Sequence, residues 1–216
     1  FQSVDSFKKT LDKVIKADPD RLSIFNYAHL PEMFKPQRRI SEADLPSAME
    51  KMDILNQTIG QLSQAGYVYI GMDHFAKPED ELAIAQRNES LYRNFQGYST
   101  HADCDLVAIG ITSIGKVGHC YSQNVKNLDD YYAIIDANEL PVYRGIALNE
   151  DDLLRQKVIT QLICHFKLDI QKIEEEFSIR FSDYFAREMS ELQQFQTDKL
   201  IQISDQAIRV MSDSLV

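Results

Sequence analysis

Helical and strand-like patterns alternate along the chain from residue 6 to residue 70. Apolar residues recur at helical spacing over residues 6–17 and 46–65, and Ser6 is the predicted N-cap of the first helix. Strand-like apolar segments follow these helices at residues 22–28 and 67–70. Because a helix between two strands carries the chain back across the sheet, this order predicts parallel strands in an α/β layer or barrel.

The second helix carries one apolar stripe, formed by Met49, Met52, Leu55, Ile59 and Leu62. We expect its two methionines to pack in the core rather than to contact a cofactor, because flexible thioethers fill irregular gaps. Further along, the patterns predict a helix over residues 79–91, a final strand-like run over 105–112, and a helix over 128–137.

The composition changes after residue 146. Three helices are predicted over residues 150–165, 170–177 and 181–195, and a β-hairpin is predicted from residues 200–203 and 207–210. We therefore divide the chain into residues 1–146 and a helical domain with a hairpin, residues 147–216. Three helices and a hairpin are the outline of a winged-helix-like module. The would-be recognition helix carries Glu188 and Glu191, which argues against DNA binding.

The charge and hydropathy of the chain exclude several classes of function. A net charge of -10 opposes general binding to nucleic acid or to anionic membranes. No apolar run is long enough for a membrane helix, and the first residues lack a signal-peptide core, so we expect a cytoplasmic protein. The three cysteines are widely spaced, and we expect reduced, mostly buried thiols: Cys104, Cys120 and Cys164.

Residues 71–115 are the part of the sequence richest in polar and aromatic side chains between strand-like runs. They include the pair Asp73-His74 and the motif R-N-F-Q-G-Y at residues 93–98. Such residues between two strands are typical of the rim of an active site, because barrels carry their chemistry on the loops after strands. An ordinary loop-rich connection is the alternative.

Three long runs carry a family resemblance. They are RLSIFNYAHLP (residues 21–31), YIGMDHFAKPEDELAIAQ (69–86) and RNFQGYSTHADCDL (93–106). They resemble the oxygen-independent coproporphyrinogen III oxidases, which are radical S-adenosylmethionine enzymes of haem synthesis, and the likeness extends from about residue 19 to about residue 210. The resemblance implies the C-terminal part of an incomplete (β/α) radical S-adenosylmethionine barrel, followed by the small, mostly helical domain.

The resemblance also implies a reaction. The family decarboxylates two propionate side chains of coproporphyrinogen III to vinyl groups, using a 5'-deoxyadenosyl radical made from S-adenosylmethionine at a [4Fe-4S] cluster. The cluster requires three cysteines in the pattern C-x3-C-x2-C, which this sequence lacks. We therefore expect the chain, which starts at Phe1, to be part of a longer enzyme, with the cluster ligands outside it and no metal site within it. The isolated chain is expected to be inactive.

Four cofactor-binding residues are expected from the resemblance. Ala28 and Ile114 match positions that bind the family's two S-adenosylmethionine molecules, although an ordinary strand-end alanine and a core isoleucine would give the same pattern. Phe95 and Gln96 offer an aromatic face and an amide to the cofactor or the substrate, and structural packing is the alternative for Phe95. The chain departs from the family near Ile114, because Ala108 replaces a glycine and Gly115 replaces a serine.

Candidate substrate ligands are arginines, because coproporphyrinogen carries four propionates and a guanidinium can hold a carboxylate in bidentate fashion. Arg93 and Arg144 are the principal candidates, whereas Arg38 and Arg39 are expected to be solvated. His74 beside Asp73 is a candidate for proton transfer, although neighbouring strand residues point to opposite faces and need not touch. The catalytic residue itself is otherwise not identified.

The expected partner is a small porphyrinogen, with no nucleic acid and no membrane, and the full-length protein is expected to be a monomer. The sequence does not identify the electron donor. Two alternatives stay open: a haem chaperone of the same superfamily, which binds haem without decarboxylation, and a regulatory winged-helix module.

Overall fold

The computed structural model describes residues 2–102 and 104–211. Contacts within the chain define two compact units. The first runs up to Ser90 and includes Met211, and the second is Leu91–Val210. The predicted division at residue 146 stays a prediction. No helix in the described part of the chain is long and apolar enough to cross a membrane.

The first unit combines helices with short strands. Its elements are α1 (Val4–Ala17), β1 (Arg21–Ser23), two 3-10 helices (Lys35–Arg39 and Glu42–Asp44), α2 (Ala48–Gln64), β2 (Val68–Gly71), β3 (His74–Ala76) and α3 (Glu81–Arg87). The N-cap of α1 is Ser3, not Ser6 as predicted. Ser6 is the third helical residue and completes a capping box with Ser3, so that each side chain satisfies a backbone N–H at the helix end.

The sheet of the first unit is antiparallel. The prediction that its neighbouring strands run parallel was therefore wrong. Its order is β1-β3-β2, and β3 runs antiparallel to both other strands. The helix α2 does return the chain in the expected direction, because β1 and β2 point the same way. A turn at Met72 and Asp73 then places β3 between them. The predicted strand over residues 22–28 ends at Ser23.

The core of the first unit lies between α1, α2 and the sheet. It contains the buried residues Leu11, Ile59, Leu62, Tyr67 and Phe75. Met49 and Met52 are 73% and 53% exposed, so the prediction that they lie in the core was wrong. The buried face of α2 is rotated instead onto Ile54, Thr58, Ile59 and Leu62. Thr58 can be buried there because its hydroxyl donates to the carbonyl of Ile54 at 2.6 Å.

The second unit contains three small antiparallel sheets and five helices among its described residues. Its elements are β4 (Tyr92–Asn94), β5 (Gly97–Ser99), β6 (Ile114–Val117), β7 (Cys120–Asn124), α4 (Leu128–Asp136), β8 (Val142–Ala147), α5 (Glu150–His165), β9 (Lys167–Asp169), α6 (Ile170–Phe177), α7 (Phe181–Tyr184), α8 (Ala186–Thr197), β10 (Ile201–Ile203) and β11 (Ala207–Val210). The sheets are β4-β5, β6-β7-β8 and β10-β11-β9.

The predicted strand over residues 105–112 is a loop that makes only one bridge, between Leu106 and Lys116. Positive φ angles at Gly110 and Thr112 turn the backbone there, and the strand begins at Ile114. The predicted helices α5 and α6 and the predicted hairpin are confirmed. The third predicted helix is divided at Phe185 into α7 and α8, and β9 was not predicted.

The C-terminal helices share one core with β9 and β11. Its buried members are Leu154, Leu168, Ile170, Ile173, Phe181, Phe185 and Ile208. The start of α5 is fixed by a capping box between Asn149 and Asp152. This core and cap make α5 a rigid support for the residues that face the small sheets of the second unit.

Candidate functional site

The R-N-F-Q-G-Y motif forms a tight hairpin. Asn94 pairs with Gly97 across β4 and β5, and Phe95 and Gln96 form the tip. The Oδ1 atom of Asn94 accepts a hydrogen bond from the Gln96 backbone N–H at 2.8 Å, and Gly97 has a φ of 126°. This turn exposes both tip side chains, and Phe95 is 60% exposed. The predicted pair is therefore presented on the surface of the second unit, where a ligand can reach it.

Phe95 is supported from one side by Tyr121 of β7. The two rings meet edge to face, with centroids 5.1 Å apart. The hydroxyl of Tyr121 accepts a hydrogen bond from Nε2 of Gln156 on α5, at 2.5 Å. Burial raises the pKa of Tyr121 above its ordinary value, and Tyr92 adds to the rise while Lys116 opposes it. Tyr121 therefore stays a neutral phenol near neutral pH.

A cross-strand row on the β6-β7-β8 sheet brings two predicted residues together. Ile114 pairs with Gln123, and Gln123 pairs with Arg144, so the three side chains lie on one face. Nε of Arg144 donates to Oε1 of Gln123 at 2.8 Å, and Nε2 of Gln123 donates to the carbonyl of Thr112 at 3.0 Å. Tyr121, two residues from Gln123, is on the same face as this row.

An open cleft of about 600 Å³ lies where the hairpin, β7 and α5 meet. Its lining residues include Arg93, Phe95, Tyr121, Asp152, Arg155 and Gln156. The walls thus combine two aromatic rings with charged and amide groups. Such a mixture suits a ligand with a flat ring system and polar substituents.

Arg93 lies in the wall of the cleft at the start of the hairpin. Its guanidinium is 5.3 Å from the centre of the Tyr98 ring, in cation–π geometry. Cys164 of α5 is buried, and burial raises the pKa of its thiol to about 11, although the positive charge of Arg93 opposes the rise. The Cys164 thiol is therefore protonated and unreactive at neutral pH.

Arg155 is the centre of an ion network between α5, α7 and α8. It bonds Asp151 at 2.9 Å and Glu188 at 2.7 Å, and the hydroxyl of Tyr184 donates to Asp151 at 2.7 Å. The Tyr184 bond, followed by the Arg155 bond, lowers the pKa of Asp151, and Arg155 lowers the pKa of Glu188. Both partners of Arg155 are thus ionised at neutral pH.

Ala28 and His74 belong to the first unit. Ala28 is exposed in the loop after β1 rather than at the strand end, and its carbonyl accepts a hydrogen bond from Gln37 Nε2 at 3.1 Å. His74 does contact Asp73, with 2.9 Å between Nδ1 and Oδ1. The contact is possible because Asp73 lies in the turn before β3, where strand alternation does not apply, and Ser23 Oγ donates to its other oxygen at 2.7 Å.

Among the residues that the structure describes, no group of histidine, cysteine or acidic side chains could hold a metal ion. The three cysteines are free thiols, but Cys104 and Cys120 are exposed and only Cys164 is buried. The prediction of mostly buried thiols was therefore wrong, because Cys104 lies in a loop and Cys120 follows the turn between β6 and β7.

Four residues of the site were not identified from the sequence: Tyr121, Gln123, Gln156 and Arg155. Tyr121 and Gln123 alternate along β7, which was not predicted as a strand, so their common face could not be inferred. Gln156 and Arg155 carry no signal either. Their place at the site depends on how α5 packs, which the sequence pattern does not encode.

Comparisons with known proteins agree on one family. The family model described as the HemN C-terminal domain matches residues 148–211. The chain is 52% identical over 211 residues to the oxygen-independent coproporphyrinogen III oxidase of Pseudomonas aeruginosa, covering 98% of this chain and 46% of that protein. It is 49% identical over 209 residues to the Escherichia coli protein of the same name, covering 97% of this chain and 46% of that protein.

A solved structure gives the same result. The structure described as coproporphyrinogen III oxidase (HemN) from Escherichia coli, a radical SAM enzyme, matches with a TM-score of 0.95 and 48% identity. The match covers 99% of this chain and 49% of that one. The chain spans about half the length of these relatives. It therefore resembles the C-terminal part of the oxygen-independent coproporphyrinogen III oxidases over nearly its whole length, as the three sequence runs predicted.

Proposed function

We propose that this chain is the C-terminal portion of an oxygen-independent coproporphyrinogen III oxidase. In the longer protein it would take part in the oxidative decarboxylation of two propionate side chains, which converts coproporphyrinogen III to protoporphyrinogen IX. The observation that carries the proposal is the 52% identity over 98% of the chain to a relative with this name. The geometry of the second unit adds a cleft with aromatic, amide and cationic groups, which is what such a substrate and cofactor require.

The residues of the second unit suit an S-adenosylmethionine molecule. Phe95 offers an exposed ring, Gln96 an exposed amide, and Ile114 a half-buried apolar side chain. We propose that they contact one cofactor molecule, with stacking on Phe95, hydrogen bonds to Gln96 and apolar cover from Ile114. Ala28, exposed in its loop, is proposed for the second cofactor molecule. When bound, S-adenosylmethionine supplies the radical that starts the reaction, and the protein must keep water away from it.

The [4Fe-4S] cluster does not fit the residues of this chain. Its sequence has no C-x3-C-x2-C pattern, and its three cysteines are far apart in sequence. We propose that the cluster ligands lie in a part of the longer protein outside this chain, and that this chain alone is inactive.

The substrate propionates would be held by arginine. Arg144 is fixed by its Nε bond to Gln123, so its terminal nitrogens can take a carboxylate in bidentate geometry. Arg93 brings a second positive charge to the cleft wall. His74, oriented by Asp73, is a proposed proton-transfer group. These charges complement an anionic substrate although the chain as a whole is acidic.

The finer structural and cellular proposals follow from the same similarity. We propose that the first residues complete a (β/α) barrel together with a preceding part of the longer protein, and that the C-terminal helices and hairpin form a winged-helix-like module that does not bind DNA. The longer protein is proposed to be a cytoplasmic monomer.

Direct cofactor binding tests this proposal. The full-length protein, meaning the longer chain that contains this one, is purified without oxygen and titrated with S-adenosylmethionine as wild type, Gln96→Ala and Ile114→Asp. We expect Gln96→Ala to weaken binding about 10-fold through loss of hydrogen bonds. Ile114→Asp should weaken it at least about 100-fold, because an unpaired carboxylate would face an apolar part of the ligand.

Tyr143→Phe is the matched control, because Tyr143 lies on β8, is 63% exposed and does not line the cleft. Decarboxylation is measured in parallel for all four proteins. If neither Gln96→Ala nor Ile114→Asp changes the affinity for S-adenosylmethionine, the assignment of these residues to the cofactor site is refuted. A wild type that neither binds the cofactor nor releases CO2 would refute the proposed function.

A further inference from the structure

We propose that Tyr121 and Gln156 are positioning residues that hold Phe95 in place for the cofactor, so that helix α5 sets the affinity for S-adenosylmethionine. This inference rests on the proposed function, because it assigns a role to residues that support a proposed cofactor contact. It extends the site from the hairpin tip into the segment that matches the HemN C-terminal domain.

The tip of the hairpin needs support from another element. Phe95 is at the end of a hairpin whose strands have only three residues each. Its ring is 60% exposed, so the backbone turn alone does not fix the side chain. The Phe95 ring contacts the Tyr121 ring edge to face, at 5.1 Å and 84°. Tyr121 therefore limits the directions in which the Phe95 ring can point.

Tyr121 is itself held from two sides. Its backbone lies in the central strand of β6-β7-β8, paired with Lys116 on one side and Ile146 on the other. Its hydroxyl accepts the hydrogen bond from Gln156. Because both groups are only partly exposed, the loss of this bond leaves their polar atoms less well satisfied than before.

Gln156 lies on a helix that is anchored at its start. The first turn of α5 is closed by the capping box of Asn149 and Asp152, and Leu154 is buried in the C-terminal core. A chain of contacts thus runs from this core through Gln156 and Tyr121 to Phe95. Side chains ordered before a ligand arrives lower the entropy cost of binding, which improves affinity without a direct contact.

A double-mutant cycle on the full-length protein tests the inference through the Kd for S-adenosylmethionine, measured by equilibrium dialysis without oxygen. Tyr121→Leu is expected to raise the Kd about 2- to 10-fold, which is the range of an aromatic pair. Gln156→Leu should raise it about 2- to 5-fold, which corresponds to one hydrogen bond. In a Phe95→Leu background both effects should disappear, because the residues act through Phe95.

Three comparisons separate positioning from general damage to the fold. Tyr121→Phe keeps the ring but loses the hydroxyl that accepts from Gln156, so its Kd should match that of Gln156→Leu. Tyr143→Leu on β8 and Gln193→Leu on α8 are the matched controls, and both should leave the Kd unchanged. Iron content and the thermal midpoint are recorded for each variant, so that an unfolded variant is recognised. If Tyr121→Leu is unfolded, the Kd of Tyr121→Phe tests the inference instead.

The outcomes are distinct. Tyr121 and Gln156 effects that persist at full size in the Phe95→Leu background would overturn the inference while leaving the proposed function intact. An unchanged Kd in Tyr121→Leu would overturn it as well. A wild type that binds no S-adenosylmethionine would overturn the proposed function and this inference together.

Discussion

Gly115 shows how a single residue can be fixed by a distant part of the chain. A Cβ at this position would lie 2.8 Å from the carbonyl oxygen of Leu106 and 3.3 Å from the Cβ of Ala108. The sequence resemblance implies serine at the place of Gly115 and glycine at that of Ala108. The two positions are in contact, but the tighter obstacle to a side chain at Gly115 is the Leu106 carbonyl oxygen. The sequence alone shows both changes but not their contact.

We predict that Gly115→Ala destabilises the chain by about 1–3 kcal/mol, because the backbone at Leu106 must move to accept a methyl group. Urea unfolding measures the effect. Gly60→Ala is the control, because Gly60 lies within helix α2 with no atom within 4 Å of the added Cβ, and it should stabilise the chain by about 0.5–1 kcal/mol. Equal stability of Gly115→Ala and wild type would contradict this prediction, because it would mean that the backbone at Leu106 moves without a cost in free energy.

Among the elements, helices could be predicted far better than strands. The bounds of α5 and α6 follow from local signals, since caps and apolar spacing lie within the segment itself. Strands of three residues, such as β1 and β4, depend on partners elsewhere in the chain. The apolar run over residues 105–112 illustrates this, because it has strand-like composition but only one bridge.

The residues of the candidate site also divide into those that a local motif carries and those that tertiary structure brings together. Phe95 and Gln96 were selected from a local motif, and the structure adds their place at a hairpin tip. Arg144 and Ile114 were selected singly, and their common row through Gln123 depends on strand register. The binding roles of these four residues stay predictions. The support from α5 depends on tertiary packing and could not be predicted.

The ion network that joins α5, α7 and α8 should make the stability of the folded chain depend on pH. Asp151 and Glu188 have lowered pKa values in the folded chain. Their contribution is therefore complete above the ordinary carboxyl pKa and is lost as the pH falls through the lowered values. We predict that the stability difference between wild type and Arg155→Met is largest near neutral pH and shrinks as the pH falls below about 4.

Unfolding at a series of pH values checks this prediction. Arg187→Met is the matched control, because Arg187 bonds Glu191 within one helix and joins no elements. The control should lower stability less at neutral pH. A difference between wild type and Arg155→Met that is the same at neutral and acid pH would contradict the assigned network.

At the scale of the whole molecule, contacts and composition divide the chain differently. Gln156 contacts Tyr121, and Tyr98 donates to the carbonyl of Ile163 at 3.5 Å, so residues before position 146 are joined to α5. These contacts place both segments in one compact unit. Composition could not reveal them, because side chains that meet in the fold are far apart in sequence. The boundary at residue 146 stays a prediction of sequence composition.

We predict that the isolated chain releases no CO2 from coproporphyrinogen III, even with reductant and S-adenosylmethionine. The physical reason is that its sequence holds no C-x3-C-x2-C pattern for the cluster that reduces the cofactor. Radiolabelled propionate carboxyls give a sensitive assay, with the full-length protein as the positive control. Release of label by the isolated chain above the level without enzyme would refute the prediction.

The most direct test of the proposed function is the fate of coproporphyrinogen III with the full-length wild-type protein, purified and assayed without oxygen. We predict CO2 release from two propionates and accumulation of protoporphyrinogen IX, dependent on S-adenosylmethionine and a reductant. Stoichiometric haem binding with an intact cluster and no CO2 release would contradict it, and would assign the protein to the haem chaperones instead.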